Sequence, residues 1–181
     1  VKLTRQLMNK APASMAKAPA KAPTQIGRWR NTAQREKLFT TTAEEKVLVD
    51  QYERGNDNSW QFSVKDGRLS WYAGGYLLTG SAAVNNGAWH HVAAARSAGT
   101  LRFFVDGVLD GSVALGHNFE TNLVLGIGAQ VGVRSSAYDF PGYIDELRIT
   151  KGVCRYTDNF APPTGPFPDS AGGIFFLPAT M

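Results

Sequence analysis

Between positions 47 and 150 the chain is a succession of short β-rich runs, each closed by a turn rich in glycine or asparagine. This rhythm constrains the fold more than any other feature of the sequence. Residues 47–52 (VLVDQY) lead into the polar stretch 53–58, and residues 59–64 (SWQFSV) alternate until Asp66-Gly67. Residues 68–73 (RLSWYA) return and stop at Gly74-Gly75. The pattern continues through 76–84 and Asn85-Asn86-Gly87, through 88–96 and the turn at 97–99, and through 101–105 and Asp106-Gly107 into 108–115. Residues 122–129 and 143–150 complete it. Asp-Gly and Asn-Gly supply the positive φ angles that tight hairpins need. Runs of about six residues, with turns roughly every 8–12, predict an all-β, antiparallel two-sheet β-sandwich. No amphipathic helical window and no internal repeat interrupts the pattern.

The rhythm does not reach the N-terminus. Residues 11–23 read APASMAKAPAKAP, a mixture of Ala, Pro and Lys without apolar periodicity. Such a segment is extended, builds no core of its own and needs a neighbour to order it. The charge divides at the same place. Residues 1–37 hold nine basic residues and one acid, a net +8, while the remaining residues hold ten basic and fourteen acidic, a net −4. The expected organisation is a basic arm over 1–37, a sandwich over 38–168 and a C-terminal extension over 169–181 that carries the apolar patch 174–178. An arm of this kind meets an acidic partner. Lys2, Arg5, Lys10, Lys17, Lys21, Arg28, Trp29 and Arg30 are its anchoring candidates. Only Trp29 interleaves an aromatic ring between cations, so the arm suits a protein surface better than a single-stranded nucleic acid.

The side chains that carry chemistry are few. Cys154 is the only cysteine, so no internal disulfide frames the fold, which favours folding in a reducing cytosol. Its expected role is packing. No apolar window has the length of a membrane span and no secretory leader is read at the start. His90 and His91 are adjacent on a strand and diverge, one packing and one facing solvent, and His117 has no acidic partner at a ligand spacing. Asp145 and Glu146 diverge for the same reason and cannot share a site. No nucleophile elbow, zinc-protease helix or phosphate loop is present. Asp66 and Asp106 read as hairpin residues. Trp60 and Phe62 share one strand face and read as core. Trp71 and Tyr72 take opposite faces, so one of them is exposed; together with Tyr76 they form a candidate glycan contact through flat rings.

Three blocks carry a family resemblance: residues 88–115 (AWHHVAAARSAGTLRFFVDGVLDGSVAL), 122–129 (NLVLGIGA) and 140–168 (FPGYIDELRITKGVCRYTDNFAPPTGPFP). They resemble the laminin-G-like and concanavalin A-like domains, in the form found in bacteriophage virion and tail-appendage proteins. The trailer R-Y-T-x-N-F-x-P-P is the most specific part. The resemblance runs from Val47 to Pro168 and implies a jelly-roll sandwich. Family members carry one or two more strands before the position of Val47. Here that edge is filled by residues 38–42, supplied by a neighbour or missing.

The resemblance also sets functional expectations. Sandwich glycosidases of this kind carry an E-x-D-x-E pattern, but Tyr143 and Leu147 stand two residues either side of Asp145. The paired carboxylates of retaining hydrolysis are therefore missing, and a non-enzymatic role is expected. Laminin-G-like domains bind calcium through loop oxygens, which makes Asp57, Asn58, Asn118, Glu120 and Asn122 weak calcium candidates; no other cofactor is expected. The leading expectation is a virion structural protein, a capsid decoration or surface-appendage subunit assembled in the host cytoplasm. Its partners are then other capsid or tail proteins, with host surface glycan as a further ligand and a homo-oligomer or larger assembly as the working state. The alternative is a lectin-like module of a bacterial surface protein, or a tail fibre subunit.

Overall fold

The computed structural model describes residues 37–119, 122–132 and 135–164. All of them belong to the compact unit Ala33–Met181. The arm candidates from Lys2 to Arg30, Glu120 and the 169–181 extension lie outside the described residues.

Among the described residues, ten strands build two antiparallel sheets. They are β1 (Lys37–Phe39), β2 (Lys46–Gln51), β3 (Trp60–Lys65), β4 (Arg68–Tyr72), β5 (Tyr76–Thr79), β6 (Trp89–Ser97), β7 (Thr100–Val105), β8 (Val108–Ala114), β9 (Gly126–Ile127) and β10 (Tyr143–Asp145). The front sheet runs β5-β4-β3-β2-β9 and the back sheet β10-β1-β6-β7-β8. Among the described residues no helix is long and apolar enough to cross a membrane. The all-β sandwich expected from the turn rhythm is the fold observed.

The hairpins form where the turn chemistry puts them. Asp66 and Gly67 have φ of 52° and 74°, and Asp106 and Gly107 have 50° and 80°. Ala98 and Gly99 adopt the same pair of angles, 47° and 73°, without an Asp or Asn to favour it. Between the sheets lies the core. Leu48, Val49, Phe62, Val64, Leu69 and Trp71 from the front sheet meet Leu38, Leu101, Phe103 and Val105 from the back. Strand alternation gives the front sheet a polar outer face, because Gln61, Ser63 and Lys65 point away from Phe62 and Val64.

Three expectations change. The segment 38–42 is not an edge. Its ordered part, β1, lies inside the back sheet, with Phe39 opposite Trp89 of β6 on one side and Tyr143 of β10 on the other. The strand expected over 143–150 ends at Asp145 because Glu146 has a left-handed backbone, φ 52°, which breaks the ladder. The strand expected over 122–129 shrinks to Gly126–Ile127, followed by Gly128 at φ 67°.

The trailer covers the outer face of the back sheet. Tyr156 and Phe160 stack on each other at 3.7 Å and lie edge-on to Phe104 and His91. The amide of Phe160 donates to the Gly107 carbonyl at 2.9 Å, and Asn159 accepts from the Leu109 amide at 2.7 Å. The residues that make this motif specific are thus the ones that roof Phe104 and buried His91. The two sheets also approach each other at β5 and β8, where Asp110 accepts from the amides of Ser81 and Ala82 at 3.0 and 2.7 Å.

Candidate functional site

The outer face of the front sheet gathers the polar and aromatic groups that could meet a ligand. β3 and β4 present Gln61 opposite Tyr72, Ser63 opposite Ser70, and Lys65 opposite Arg68. β5 adds Tyr76 opposite Tyr72, across a register shift that turns its ring outward. The chain leaving β2 adds Tyr52. Tyr52 and Tyr76 lie edge-on to Tyr72, with ring centres 5.8 and 5.2 Å away.

Hydrogen bonds tie these rings to the sheet. The Tyr76 hydroxyl donates to Glu45 Oε2 at 2.6 Å, and Gln61 Nε2 donates to Glu45 Oε1 at 3.2 Å. Gln130, on the segment that crosses this face, donates to Gln61 Oε1 at 2.9 Å. Lys65 Nζ sits 3.6 Å from the centre of the Tyr76 ring, a cation–π contact. Burial raises the Tyr76 phenol above the ordinary tyrosine range, and its hydrogen bond to Glu45 raises it further. Burial also raises Tyr52, with Tyr72 adding to the effect. The phenols therefore stay neutral at physiological pH and act as hydrogen-bonding rings.

Asp50 lies under the same crossing segment and is fully buried. Burial pushes its pKa up to about 6, while the amides of Val131 and Gly126 pull the other way. Neither amide closes a well-formed bond, for both carboxylate oxygens are buried without a partner.

The structure separates the three residues proposed for glycan contact. Tyr72 and Tyr76 share the outer face. Trp71 does not: it is 8% exposed, points into the core and stacks on Trp60 at 4.9 Å. It is corrected to a core residue, as strand alternation next to Tyr72 requires. Tyr52, Glu45, Lys65, Gln61 and Gln130 escaped the sequence reading, because they come from four separate segments. The alternation of β3 was the available signal for Gln61 and Lys65.

The remaining candidates lie on other segments. Asp57 and Asn58 lie on the turn after β2, and Asn118 and Asn122 on the segment between β8 and β9. Among the described residues no group of three or more His, Cys, Asp or Glu side chains gathers in a way that could hold a metal ion. His91 is 1% exposed and packs on Phe160. His90 is held between Asp106, at 2.7 Å from Nδ1, and Asn86, at 2.9 Å from Nε2. Asp106 is thus more than a turn residue, since its other oxygen accepts from the His91 amide at 2.9 Å. A cleft of about 1020 Å³ opens between the sheets alongside β6, lined by Trp60, Trp71, Phe119 and the run Leu147–Tyr156. Its walls are mostly apolar or backbone, so the outer face of the front sheet offers the richer set of ligand groups.

The family comparison agrees with this architecture. The family model described as the Concanavalin A-like lectin/glucanases superfamily, of laminin G type, matches residues 23–155. No curated protein matches the chain. Among solved structures, domains LG4-5 of the mouse laminin alpha1 chain are similar at 16% identity and a TM-score of 0.47, over 59% of this chain and 32% of that one. An S-layer domain-containing protein from Clostridium thermocellum is similar at 19% identity and a TM-score of 0.27, over 66% of this chain and 60% of that one. The chain spans less than two thirds of either structure's own length. The family match takes in every strand of both sheets, and the protein belongs to the concanavalin A-like lectin/glucanase superfamily as a laminin G-type domain.

Proposed function

We propose that this protein is a non-catalytic adhesion and assembly subunit that binds a hydroxyl-rich ligand, a surface glycan, on the outer face of its front sheet. The observation that carries the reading is the aromatic surface of Tyr52 and Tyr72 on this outer face, with Tyr76 edge-on beside them. Tyrosine rings cover the apolar C–H faces of a sugar, and amide and hydroxyl groups hydrogen-bond its rim. Asp145 and Glu146 support the non-catalytic part. Asp145 ends β10 in the back sheet and Glu146 takes the left-handed backbone beyond it, away from the tyrosines of the front sheet.

A glycan array probed with the full chain tests this reading. The expected result is binding to one saccharide class, reduced more than tenfold by Tyr72→Ala, with no reducing sugar released from polysaccharide. Silence across the array, or release of reducing ends, contradicts it.

The wider assembly we infer is a virion, with the basic arm as anchor to a capsid or tail protein. Two sequence observations favour it: the +8 arm against a −4 remainder, and the trailer that resembles phage virion domains. Replacing Lys2, Lys10, Lys17 and Lys21 with Gln should release the subunit from its particle at lower salt than wild type, as read by sedimentation. Unchanged retention contradicts the anchor.

A further inference from the structure

The outer face holds two groups whose hydrogen-bonding capacity is unmet. Ser63 and Ser70 are opposite each other on β3 and β4, both fully buried, and both hydroxyls lack a partner. They point outward, since Phe62, Val64, Leu69 and Trp71 on the same strands enter the core. An outward-facing serine on a sheet is ordinarily wet, so something roofs this pair.

The register identifies the roof. On one side of the serine row lies the row Gln61, Tyr72 and Tyr76; on the other lies the row Lys65 and Arg68. Lys65 Nζ nevertheless meets the Tyr76 ring at 3.6 Å. Two side chains from flanking rows can meet only above the row between them. Tyr76 therefore reaches across the serines toward Lys65, pinned at its tip by Glu45 and at its side by Tyr72. The upper surface of this strap is in solvent, with Tyr76 47% exposed.

We propose that the Tyr76–Lys65 strap is a gate over a serine-floored saccharide subsite. This rests on the glycan-binding reading of the same face and adds a closed state to it. A buried hydroxyl without a partner is costly. Opening the strap exposes Ser63 and Ser70, whose hydroxyls both donate and accept, the pattern that matches the hydroxyls of a neutral sugar. Opening breaks the cation–π contact with Lys65, the charge-assisted hydrogen bond to Glu45 and the edge-on contact with Tyr72. The closed state therefore lowers apparent affinity by the fraction of molecules that are closed.

The test is calorimetric titration of the full chain with cellohexaose, chitohexaose and mannohexaose. Wild type, Tyr76→Ala, Tyr72→Ala and Tyr76→Ala with Ser63→Ala and Ser70→Ala are compared, with circular dichroism confirming the fold of each. The gate predicts that Tyr76→Ala binds about tenfold tighter than wild type, and that the added serine replacements remove the gain. Tyr72→Ala weakens binding in either case. If Tyr76→Ala instead weakens binding as Tyr72→Ala does, or leaves it unchanged, Tyr76 is a platform and not a gate, while the binding face stands. If neither wild type nor Tyr76→Ala binds any of the three sugars, the binding face and the gate both fall.

Discussion

Asp50 shows how one side chain can work against the fold that holds it. Its carboxyl is buried with neither oxygen paired, and its folded pKa of about 6 lies above the ordinary aspartate value of 3.8. Between these values the folded chain binds more protons than the unfolded chain, so stability falls as pH rises through that window. The loss is on the order of 2–3 kcal/mol, complete above about pH 7. Asp50→Asn removes the ionisation while keeping the shape. It should leave stability near pH 4 almost unchanged and raise it by about 2 kcal/mol at pH 8, as measured by urea denaturation at both. A second residue-scale strain sits at Ala98, whose left-handed backbone costs about 1 kcal/mol against Asn or Gly. Ala98→Asn should raise the melting temperature by a few degrees. The sequence marked the turn at 97–99 but could not reveal the strain, since Ala-Gly carries no hint of positive φ at its first residue. It was equally silent on Asp50, because burial by a segment about eighty residues distant is a tertiary fact.

At the scale of elements, the hairpins were legible and the edges were not. Asp66-Gly67 and Asp106-Gly107 fix their own turns locally, and β3, β4, β6, β7 and β8 lie where alternation puts them. β1, β9 and β10 are too short for a period to register. Their positions follow from pairing partners far along the chain, so 38–42 read as an edge and 143–150 as a full strand. The trailer was recognised as a motif without its reason. Its job is visible only once Phe160 is seen over His91 and Phe104, with its amide on Gly107. A Cβ at Gly107 would collide with the Phe160 carbonyl oxygen, on a backbone at φ +80°. Gly107→Ala should therefore detach the trailer and cost about 2–3 kcal/mol, with His91 and Phe104 newly open to solvent. Native-state hydrogen exchange of the Leu109 and Phe160 amides reads this directly: both should lose protection while β3 and β4 keep theirs.

For the whole molecule, two surfaces with different chemistry divide the work. The back sheet is roofed by its own trailer and offers little to a ligand. The front sheet presents Tyr52, Tyr72 and Tyr76 on its outer face, and in the proposed assembly the arm supplies the attachment. Of the proposed glycan face, Tyr72 and Tyr76 are legible in the sequence. Trp71 had to be surrendered to the core, and Glu45, Gln61, Lys65 and Gln130 joined only through the topology. In the proposed function, ligand meets this outer face and not the cleft between the sheets. The direct measurement is an NMR titration of the full chain with a saccharide that binds, following side-chain amide, serine and indole signals together. Shifts are expected at Gln61, Ser70, Tyr72 and Gln130, with the indole signals of Trp60 and Trp71 unmoved. Shifts confined to those two indoles and to Phe119 would place the ligand in the cleft and contradict it.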